Sequence, residues 1–579
     1  MRKGFSVLIS LVFATFISGF SGISYSAPPI LNYADIAQPV WARNGMVSSQ
    51  QAIATRIGVD ILQQGGNAVD AAVAVGFTLA VTLPRAGNLG GGGFMLVHLA
   101  EQNKTLAIDY REIAPAAAHR DMYLNDDGSV DKNRSRFHGL AVGVPGTVMG
   151  LIEALQRYGT LPLSKVLQPA IRLASDGFRV DRDLANSLQQ AQQRLSQWPG
   201  ASKVFYHADG NPYQTGELLI QSDLAHTLTQ ISRNGSRAFY DGEIAQKIVN
   251  TVNQAGGAMT LEDMQHYEVK IRAPARGSYR GYQIASMPPP SSGGTHIIQI
   301  LNMMELIDLS SLGMHSAQSM HYMAESMRRA YADRSEYLGD PDFVEVPVNS
   351  LTDKSYAKTL FQQIDPGHAS LSENIKPSLT LPRESPQTTH FSVVDRWGNA
   401  VANTYTLNFS YGSGIMAEGT GVILNNEMDD FSAKPGVANA YGLIGGDANA
   451  VAARKRPLSS MSPTIVFKPD SNEVLLVTGS PGGSRIITTT LQIISNVIDF
   501  GMNIAEATQS PRFHHQWLPD QITLEKGFSI DTIRLLEQKG HHIDASNWAM
   551  GSTQSIMKTD DGWSGASDSR QSGTLTSGY

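Results

Sequence analysis

The feature that most constrains the fold is a pair of β-rich runs that begins at Thr388. The first run continues through Phe391-Ser392-Val393-Val394, a Trp397-Gly398-Asn399 turn follows, and the second run extends from Ala400 to Leu407. Turn residues between two β-rich runs predict a β-hairpin. The chain therefore holds a hairpin whose first residue is a threonine.

The residues before this hairpin have a different character. Asp365 to Pro386 contains four prolines, several serines and no hydrophobic period, which predicts an exposed loop. If the Gln387–Thr388 bond were cut, Thr388 would carry a free α-amine beside its hydroxyl. That pairing activates threonine as a nucleophile without a histidine. The alternative interpretation is a structural Thr-Thr pair that opens a strand.

Length and composition limit the class of protein. The chain has 579 residues, 41% hydrophobic and 17% charged, with 54 glycines and 27 prolines. These values are typical of a large, loop-rich enzyme. The net charge is −7 and no basic block occurs, so we expect no nucleic-acid partner. Cysteine is absent, which excludes a cysteine nucleophile and thiolate metal sites.

The first 26 residues have the pattern of a secretory signal. Met1-Arg2-Lys3 is basic, Val7 to Phe20 is apolar, and Ser24-Tyr25-Ser26-Ala27 supplies small residues for cleavage. Cleavage after Ser26 places Ser24 and Ser26 at the small positions, whereas cleavage after Ala27 would place Tyr25 there. The alternative is an N-terminal membrane anchor, for which the apolar run is short. No other stretch of spanning length lacks a charge, so we expect no stable membrane insertion.

Hydrophobic patterns predict helices and strands in a single large domain without internal repeats. Ser48-Ser49 are expected to cap a helix that runs through Ala52 and Leu62 and ends at Gly65-Gly66. Ala68 to Leu83 is predicted to be a buried helix despite Asp70. The glycine run in Asn88–Phe94 follows a helix and precedes a strand, which is the reverse of a phosphate-binding loop. Close backbone packing beside a site is the preferred interpretation. Further predicted elements are helices through most of 145–260 with loops at 197–215, a strand at Gly277–Ser286, helices from Thr295 and over Met320–Tyr337, strands at Gly421–Leu424, Thr464–Phe467 and Val474–Val477, and a helix over Arg485–Phe500.

Several polar residues are candidates for chemistry. Arg111 stands where the predicted strand Leu106–Tyr110 ends, and its forked guanidinium suits a carboxylate; the alternative is a surface salt bridge. Thr406 and Asn408 are two apart on a strand and share one face, where they could orient a neighbouring group or simply make cross-strand hydrogen bonds.

Glu427 and Asp430 lie three apart in an acidic turn. They could bind a substrate ammonium, form a glycosidase pair or ligate a metal, although no other carboxylates flank them at ligand spacing. Gly482-Gly483 precedes a helix, where backbone N–H groups could form an oxyanion hole; the alternative is an ordinary glycine-rich helix start. His514-His515 is expected to be a buried structural pair. Gly-x-Ser-x-Gly and His-Glu-x-x-His motifs are absent from the sequence.

Taken together, these segments resemble the γ-glutamyltranspeptidases, specifically the exported bacterial enzymes. The resemblance spans nearly everything after the signal, in consistent order. It is carried by Asn88–Phe94, Asp109–Pro115, Met287–Gly294, Tyr331–Phe343, Gln387–His390, Asn425–Phe431, Arg456–Pro463 and Gly479–Arg485.

The resemblance implies an α+β N-terminal nucleophile hydrolase fold, an αββα sandwich self-cleaved into two intertwined subunits. The cut at Gln387–Thr388 would give a large subunit of residues 27–387 and a small subunit of residues 388–579, which stay associated as a heterodimer. Thr388 would be the nucleophile, with its own α-amine as base. Thr406 would support it.

The same resemblance implies the other site roles. One group would hold the amino-acid head of the substrate: Arg111, Ser459 and Ser460 on the carboxylate, and Asn408, Glu427 and Asp430 on the ammonium. Gly482 and Gly483 would form the oxyanion hole, and Tyr441 would belong to a lid. No cofactor or metal is implied.

The implied activity is transfer of the γ-glutamyl group of glutathione and related donors to water, amino acids or peptides, in the periplasm or the medium. Two alternatives are a related acylase acting on cephalosporin or glutaryl amides, whose substrates lack the amino-acid head, and a secreted binding protein without catalysis. The binding protein predicts an intact chain.

Overall fold

The structure is a computed structural model that describes residues 35–375, 388–434, 437, 445–545 and 548–579. Ala37–Tyr579 forms one compact unit. Gln387, Tyr441 and the signal segment 1–26 lie outside the described residues. No helix within those ranges combines the length and the apolar character needed to span a membrane.

The described strands are as follows, in chain order: β1 Val40–Ala42, β2 Met46–Ser49, β3 Gly92–Leu99, β4 Lys104–Tyr110, β5 Phe178–Arg179, β6 Leu218–Leu219, β7 Lys270–Arg272, β8 Ala275–Tyr279, β9 Tyr282–Ser286, β10 Thr389–Val394, β11 Ala400–Thr406, β12 Met416–Ala417, β13 Val422–Ile423, β14 Thr464–Phe467, β15 Val474–Thr478, β16 Phe513–His514, β17 Ile522–Leu524, β18 Ile543–Ala545, β19 Gln554–Lys558, β20 Trp563–Ser567 and β21 Leu575–Gly578.

The described α-helices are α1 Ala52–Gln63, α2 Ala68–Thr82, α3 Lys132–Arg136, α4 Thr147–Tyr158, α5 Leu163–Asp176, α6 Arg182–Leu195, α7 Pro199–Phe205, α8 Ser222–Asn234, α9 Arg237–Tyr240, α10 Glu243–Gln254, α11 Leu261–Gln265, α12 Gly293–Met304, α13 Leu309–Leu312, α14 Ala317–Tyr337, α15 Val348–Leu351, α16 Lys354–Phe361, α17 Arg485–Ile498, α18 Ile504–Gln509 and α19 Ile530–Gln538. Short 3₁₀ helices include Glu427–Asp430.

Two seven-stranded antiparallel sheets form the centre of the fold. The strand order of sheet 1 is β21-β2-β10-β11-β3-β4-β7, and that of sheet 2 is β1-β20-β19-β15-β14-β9-β8. The predicted hairpin is β10–β11, with Thr389 opposite Tyr405 and Val394 opposite Ala400. It occupies the middle of sheet 1, because β2 pairs with one side and β3 with the other.

Alternating side chains on these strands build a four-layer sandwich. Phe391 and Val393 belong to the core between sheet 1 and the helices around α2, whereas Val394 and Ala402 belong to the core between the two sheets. A third core lies on the other face of sheet 2, against α12, α14 and α17. Because successive side chains on a strand point to opposite faces, the β10 pattern buries both of its faces. This is the predicted αββα arrangement.

Helix α2 shows how a charge can lie inside an apolar run. Asn67 caps the helix in a capping box with Asp70, which is fully buried. The carboxylate of Asp70 also accepts hydrogen bonds from the Thr160 hydroxyl at 2.6 Å and the Leu161 amide at 3.0 Å. Burial is tolerated because these donors replace water. The prediction of a buried helix is confirmed.

Some local predictions were wrong. Ser48 and Ser49 lie in β2 rather than capping α1, whose cap is the Gln51 side chain. The predicted strand Gly277–Ser286 is a two-stranded hairpin, and the predicted loop 197–215 contains helix α7. The first error arises because Ser48 and Ser49 pair with β10 and β21 in sheet 1.

The predicted exposed loop Asp365–Pro386 is only partly described. Its beginning is not exposed throughout, because Ser372 is fully buried. Its hydroxyl donates to the Trp517 carbonyl at 2.6 Å, and its amide donates to Asp520 at 2.7 Å. The segment is therefore docked on the C-terminal part of the chain before residue 376.

Candidate active site

Thr388 lies immediately before the central strand β10, and only 5% of its surface is exposed. Thr389 pairs with Tyr405, so the next position outward places Thr388 beside Thr406 at the end of β11. The two hydroxyl oxygens are 3.4 Å apart. The sequence predicted a support role for Thr406, and the structure brings its hydroxyl next to that of Thr388.

Asn408 orients Thr406 through its backbone. Its N–H donates to Thr406 Oγ1 at 2.8 Å, and its φ of +71° turns the chain back at the strand end. The Asn408 side-chain amide donates to the Asn426 carbonyl at 2.9 Å, which ties β11 to the acidic turn. Thr406 and Asn408 thus connect the nucleophile candidate to the carboxylates.

Arg111 is fully buried, so the surface salt bridge considered for it is wrong. Its guanidinium donates to Glu427 Oε1 and, at 2.5 Å, to Asp430 Oδ2. It also donates to the carbonyls of Pro457 at 3.2 Å and Leu458 at 3.3 Å. The 3₁₀ helix Glu427–Asp430 directs both carboxylates to the same cation.

Glu112 is a third buried carboxylate that sequence reasoning did not select. Glu112 Oε2 lies 3.8 Å from Arg111 Nη1. Among the described residues, no donor forms a hydrogen bond to either Glu112 carboxylate oxygen or to Glu427 Oε2. Burial raises the pKa of Glu112 to about 7, and raises the pKa of Glu427 well above its usual value and that of Asp430 above its own. Glu112 directly follows Arg111 in the sequence, and this adjacency was the signal by which sequence reasoning could have found it. Three carboxylates therefore share one arginine, and burial together with their mutual repulsion favours protonation of at least one of them.

Ser459 and Ser460 follow the carbonyls that hold Arg111. Ser459 Oγ accepts the Met461 amide at 3.1 Å, and Ser460 Oγ accepts from Arg334 Nη2 at 3.1 Å. Arg334, on α14, also donates to Ser292 at 2.9 Å. Arg334 was not predicted, because only the tertiary fold brings this helix to the serines.

Gly482 and Gly483 lie between β15 and α17. Their φ angles are +138° and +58°, a region that favours glycine. Among the described residues, neither amide N–H has a hydrogen-bond acceptor. The carbonyls of the two glycines accept from Arg485 and Ile486 at the start of the helix. Two backbone donors are thus available to a ligand.

Thr388 separates two cavities. The first brings together most of the predicted site: Thr388, Thr406, Asn408, Glu427, Asp430, Ser459, Ser460 and Gly483. Arg111 does not line this first cavity, because its guanidinium is covered by Glu427 and Asp430, which do. The second cavity is lined by Thr388 and Gly482, among other residues. Thr388 therefore borders both cavities.

No group of three or more His, Asp or Glu side chains in the described ranges could hold a metal ion. His514 and His515 are buried as predicted; His514 Nδ1 bonds the Thr488 hydroxyl at 2.8 Å, and His515 Nδ1 accepts the Trp517 amide at 3.0 Å. A hydroxyl, backbone N–H donors and a buried arginine with carboxylates are the kinds of group that an acyl-transfer site uses.

The stacked antiparallel sheets between helical layers, with a threonine at the start of a central strand, define an N-terminal nucleophile hydrolase fold. The family model for gamma-glutamyltranspeptidase matches residues 54–577, and the chain belongs to this family.

Known relatives agree with this assignment. The chain is 55% identical to the glutathione hydrolase proenzyme of Escherichia coli, over 98% of each sequence. The crystal structure of Helicobacter pylori γ-glutamyltranspeptidase is 47% identical, with a TM-score of 0.56 over 60% of this chain and 97% of that one. A cephalosporin acylase from Bacillus halodurans has a TM-score of 0.82 at 26% identity, over 97% of this chain and 99% of that one. The sequence-based recognition of family and fold is confirmed.

Proposed function

We propose that this chain is the precursor of a γ-glutamyltransferase and glutathione hydrolase that cleaves itself between Gln387 and Thr388. The observation that carries the proposal is the 3.4 Å contact between the Thr388 and Thr406 hydroxyls, in a cavity that also contains Glu427 and Asp430. The E. coli relative is named a glutathione hydrolase proenzyme. A nucleophile and an amino-acid pocket therefore meet at one point.

Self-cleavage uses the same hydroxyl as the later reaction. Thr388 Oγ1 attacks the Gln387 carbonyl carbon, the C–N bond breaks, and the nitrogen takes the hydroxyl proton to become the α-amine. Water then hydrolyses the resulting ester, which leaves a carboxylate on Gln387 and a free hydroxyl and amine on Thr388. The amine is the base that the nucleophile needs.

The products, residues 27–387 and 388–579, remain together as a heterodimer. In sheet 1, β10, β11 and β21 come from the second part, whereas β2, β3, β4 and β7 come from the first. Strand β10 pairs with β2, and β11 pairs with β3. Separation would expose two central strands, so the subunits stay intertwined.

In the mature enzyme, Thr388 Oγ1 attacks the γ-carbonyl of the donor while the α-amine accepts the hydroxyl proton. The N–H groups of Gly482 and Gly483 stabilise the oxyanion, and the proton passes to the departing amine. A γ-glutamyl ester on Thr388 remains. Water or the amine of an amino acid or peptide then attacks this ester, with the α-amine again acting as base.

The head-group pocket selects the glutamyl moiety. The substrate α-ammonium replaces Arg111 as the partner of Glu427 and Asp430, with Asn408 beside them. The α-carboxylate takes the guanidinium, with help from Ser459 and Ser460. One zwitterion thus satisfies the cation and the excess carboxylates together, which a side chain without an amino-acid head cannot do. Tyr441, outside the described residues, is proposed as part of a lid that affects the acceptor.

The N-terminal signal pattern supports export, and the resemblance to bacterial enzymes supports the periplasm as the destination. Release into the medium is the other outcome of export. Fractionation of cells that express the full chain distinguishes the two.

The direct test is intact mass and N-terminal sequencing of purified wild-type protein and a Thr388→Ala variant. The proposal expects two wild-type fragments, the smaller starting at Thr388, and an uncut variant that does not hydrolyse a γ-glutamyl anilide. A wild-type chain that stays whole after folding would overturn the proposal in favour of a binding protein. Activity on a glutaryl amide without activity on the γ-glutamyl anilide would favour the acylase.

A further inference from the structure

Beside Thr388, a buried histidine links the nucleophile strand to the loop that carries the oxyanion glycines. His390 is two residues after Thr388, so both side chains lie on the face of β10 that points to sheet 2. His390 is fully buried. Phe391, the next residue along the strand, packs on the opposite face of β10.

The His390 ring is in direct contact with Gly479, where the loop after β15 begins. A methyl group built on Gly479 would lie 2.5 Å from His390 Cε1 and 2.6 Å from Nδ1. Real Cβ atoms are not found that close to other heavy atoms, so glycine is required at residue 479 by the ring rather than by its own backbone. Three residues further along the loop is Gly482.

Hydrogen bonds fix the orientation and tautomer of the ring. Ser392 Oγ donates its only proton to the Gln554 carbonyl at 2.8 Å, so it accepts from His390 Nε2–H at 3.1 Å. His390 Nδ1 then accepts from the Thr404 hydroxyl at 2.8 Å. Burial lowers the pKa of His390 to about 3, so this neutral tautomer persists at neutral pH.

The same network returns to the oxyanion loop. The backbone N–H of Gln554 donates to the Gly479 carbonyl at 3.4 Å. Hydrogen bonds therefore connect His390 to Ser392, Ser392 to Gln554 and Gln554 to Gly479, which is itself in contact with the His390 ring. The atoms of these four residues that make the contacts lie between the two sheets, where no water competes for the hydrogen bonds.

We propose that His390 is a positioning residue that sets the placement of the oxyanion amides of Gly482 and Gly483 relative to the Thr388 hydroxyl. It touches neither substrate nor reacting atoms; it acts through the Gly479 end of the loop. The inference rests on the proposed function. Its effect falls on the transition state, because the head-group pocket around Arg111 shares no contact with the ring.

The test compares His390→Gln and His390→Asn with wild type on a γ-glutamyl anilide, with rates divided by the concentration of processed Thr388 termini. The Gln amide reaches the position of Nε2 and can still donate to Ser392, whereas the Asn amide is too short. We expect kcat to fall about 100-fold in the Asn variant, the size seen when one oxyanion donor is displaced. KM should stay within about threefold, and the Gln variant should recover most of kcat.

His98→Gln is the matched control. His98 is also a buried histidine of sheet 1 that faces sheet 2, but it lies on β3 opposite Ala400, at the other end of the strands. Its kcat should remain at the wild-type value. An equal loss in this control, an unchanged kcat in His390→Asn, or a loss expressed in KM alone would overturn the proposal.

A second measurement does not depend on the fold of the Asn variant. Gly479→Ala introduces a methyl group against the ring and should lower kcat by at least about tenfold, whereas the double variant His390→Ala/Gly479→Ala should be no slower than Gly479→Ala alone. Additive losses would overturn the inference. Wild-type turnover together with an inactive Thr388→Ala shows that the proposed function itself holds, so the two failures are distinguishable.

Discussion

Arg111 Nη2 donates to Asp430 Oδ2 at 2.5 Å, and the two residues are 319 positions apart, on opposite sides of the proposed cleavage point. The pair lies inside the protein, where Glu427 and Glu112 add two further carboxylates. A buried cation with more than one carboxylate is well placed to receive a zwitterion, because the incoming ammonium and carboxylate exchange partners with existing charges.

Replacement of Arg111 with lysine should weaken donor binding. Lysine supplies a point charge and cannot serve Glu427, Asp430 and two carbonyls at once. We expect KM for a γ-glutamyl anilide to rise about 10- to 100-fold, the effect of a lost hydrogen bond to a charged group worth about 1.5–3 kcal/mol. Arg136→Lys, at the neighbouring pair with Asp429, is the control and should leave KM near wild type. Equal KM values in both variants would contradict the proposed role.

The carboxylate cluster predicts a specific acid limb in kcat/KM. Burial raises the pKa values of Glu112, Glu427 and Asp430, that of Glu112 to about 7, so one or more become protonated as the pH falls through neutrality. Protonation removes the charge that holds the substrate ammonium, so kcat/KM should fall. Glu112→Gln removes a charge that raises the pKa of Glu427, and should move this limb to lower pH. Glu101→Gln, at the exposed turn after β3, is the control; a limb that does not move in Glu112→Gln contradicts the coupling.

Thr406→Val tests the hydroxyl beside the nucleophile. Valine has the same shape but cannot accept the Asn408 N–H or contact Thr388 Oγ1 through a hydrogen bond. We expect kcat per processed site to fall about 10- to 100-fold, from the loss of about 1.5–3 kcal/mol when a buried donor and a reacting hydroxyl lose their partner. Thr406→Ser keeps the oxygen and should retain most of the activity. A valine variant at full kcat would remove Thr406 from the mechanism.

Gly483→Ala tests the oxyanion loop. At a φ of +58°, alanine costs about 1–2 kcal/mol relative to glycine, so the loop should shift its N–H groups away from the cavity. The expected result is a fall in kcat of about 100-fold with KM nearly unchanged. Gly235→Ala, also at positive φ (+67°) but at the end of α8, is the control for strain alone. If both variants lose activity equally, strain rather than the oxyanion hole explains the loss.

Buried neutral histidines should limit stability in acid. His321 Nε2–H donates to the Asp365 carbonyl at 2.8 Å, so His321 Nδ1 accepts from His541 Nε2–H, also at 2.8 Å. Burial lowers the pKa of His541 to about 3, below its unfolded value near 6.5, so its contribution to stability is complete above pH 6.5 and is lost as the pH falls toward 3. At pH 5 this loss is about 2 kcal/mol.

Thermal unfolding at pH 7.5 and 5.0 measures this effect. His541→Gln, which keeps a donor for His321 and does not titrate, should show a smaller drop in Tm between the two pH values than wild type. His207→Gln, at an exposed position, is the control and should behave as wild type. An identical pH dependence in wild type and His541→Gln would show that this pair does not contribute.

The amino-acid sequence by itself determined the hairpin, the buried α2 helix and the family. These features depend on local chemistry: turn residues fix β10–β11, and continuous apolar positions require α2 to be buried. Long motifs in consistent order identified the family, and with it the roles proposed for Thr388, Arg111 and the glycine loop. Tyr441 and Gln387 stay predictions, because both lie outside the described residues.

Only the tertiary structure decided how these residues combine. Strand order placed β10 in the middle of sheet 1, although nothing local says which strands are its neighbours. Glu112 and Arg334 entered the site, and His390 came to lie against Gly479, through contacts between segments far apart in the chain. Patterns of two or three residues encode which face of an element is buried, but they do not encode what that face packs against. Long-range packing supplies that information, because it depends on every layer of the sandwich at once.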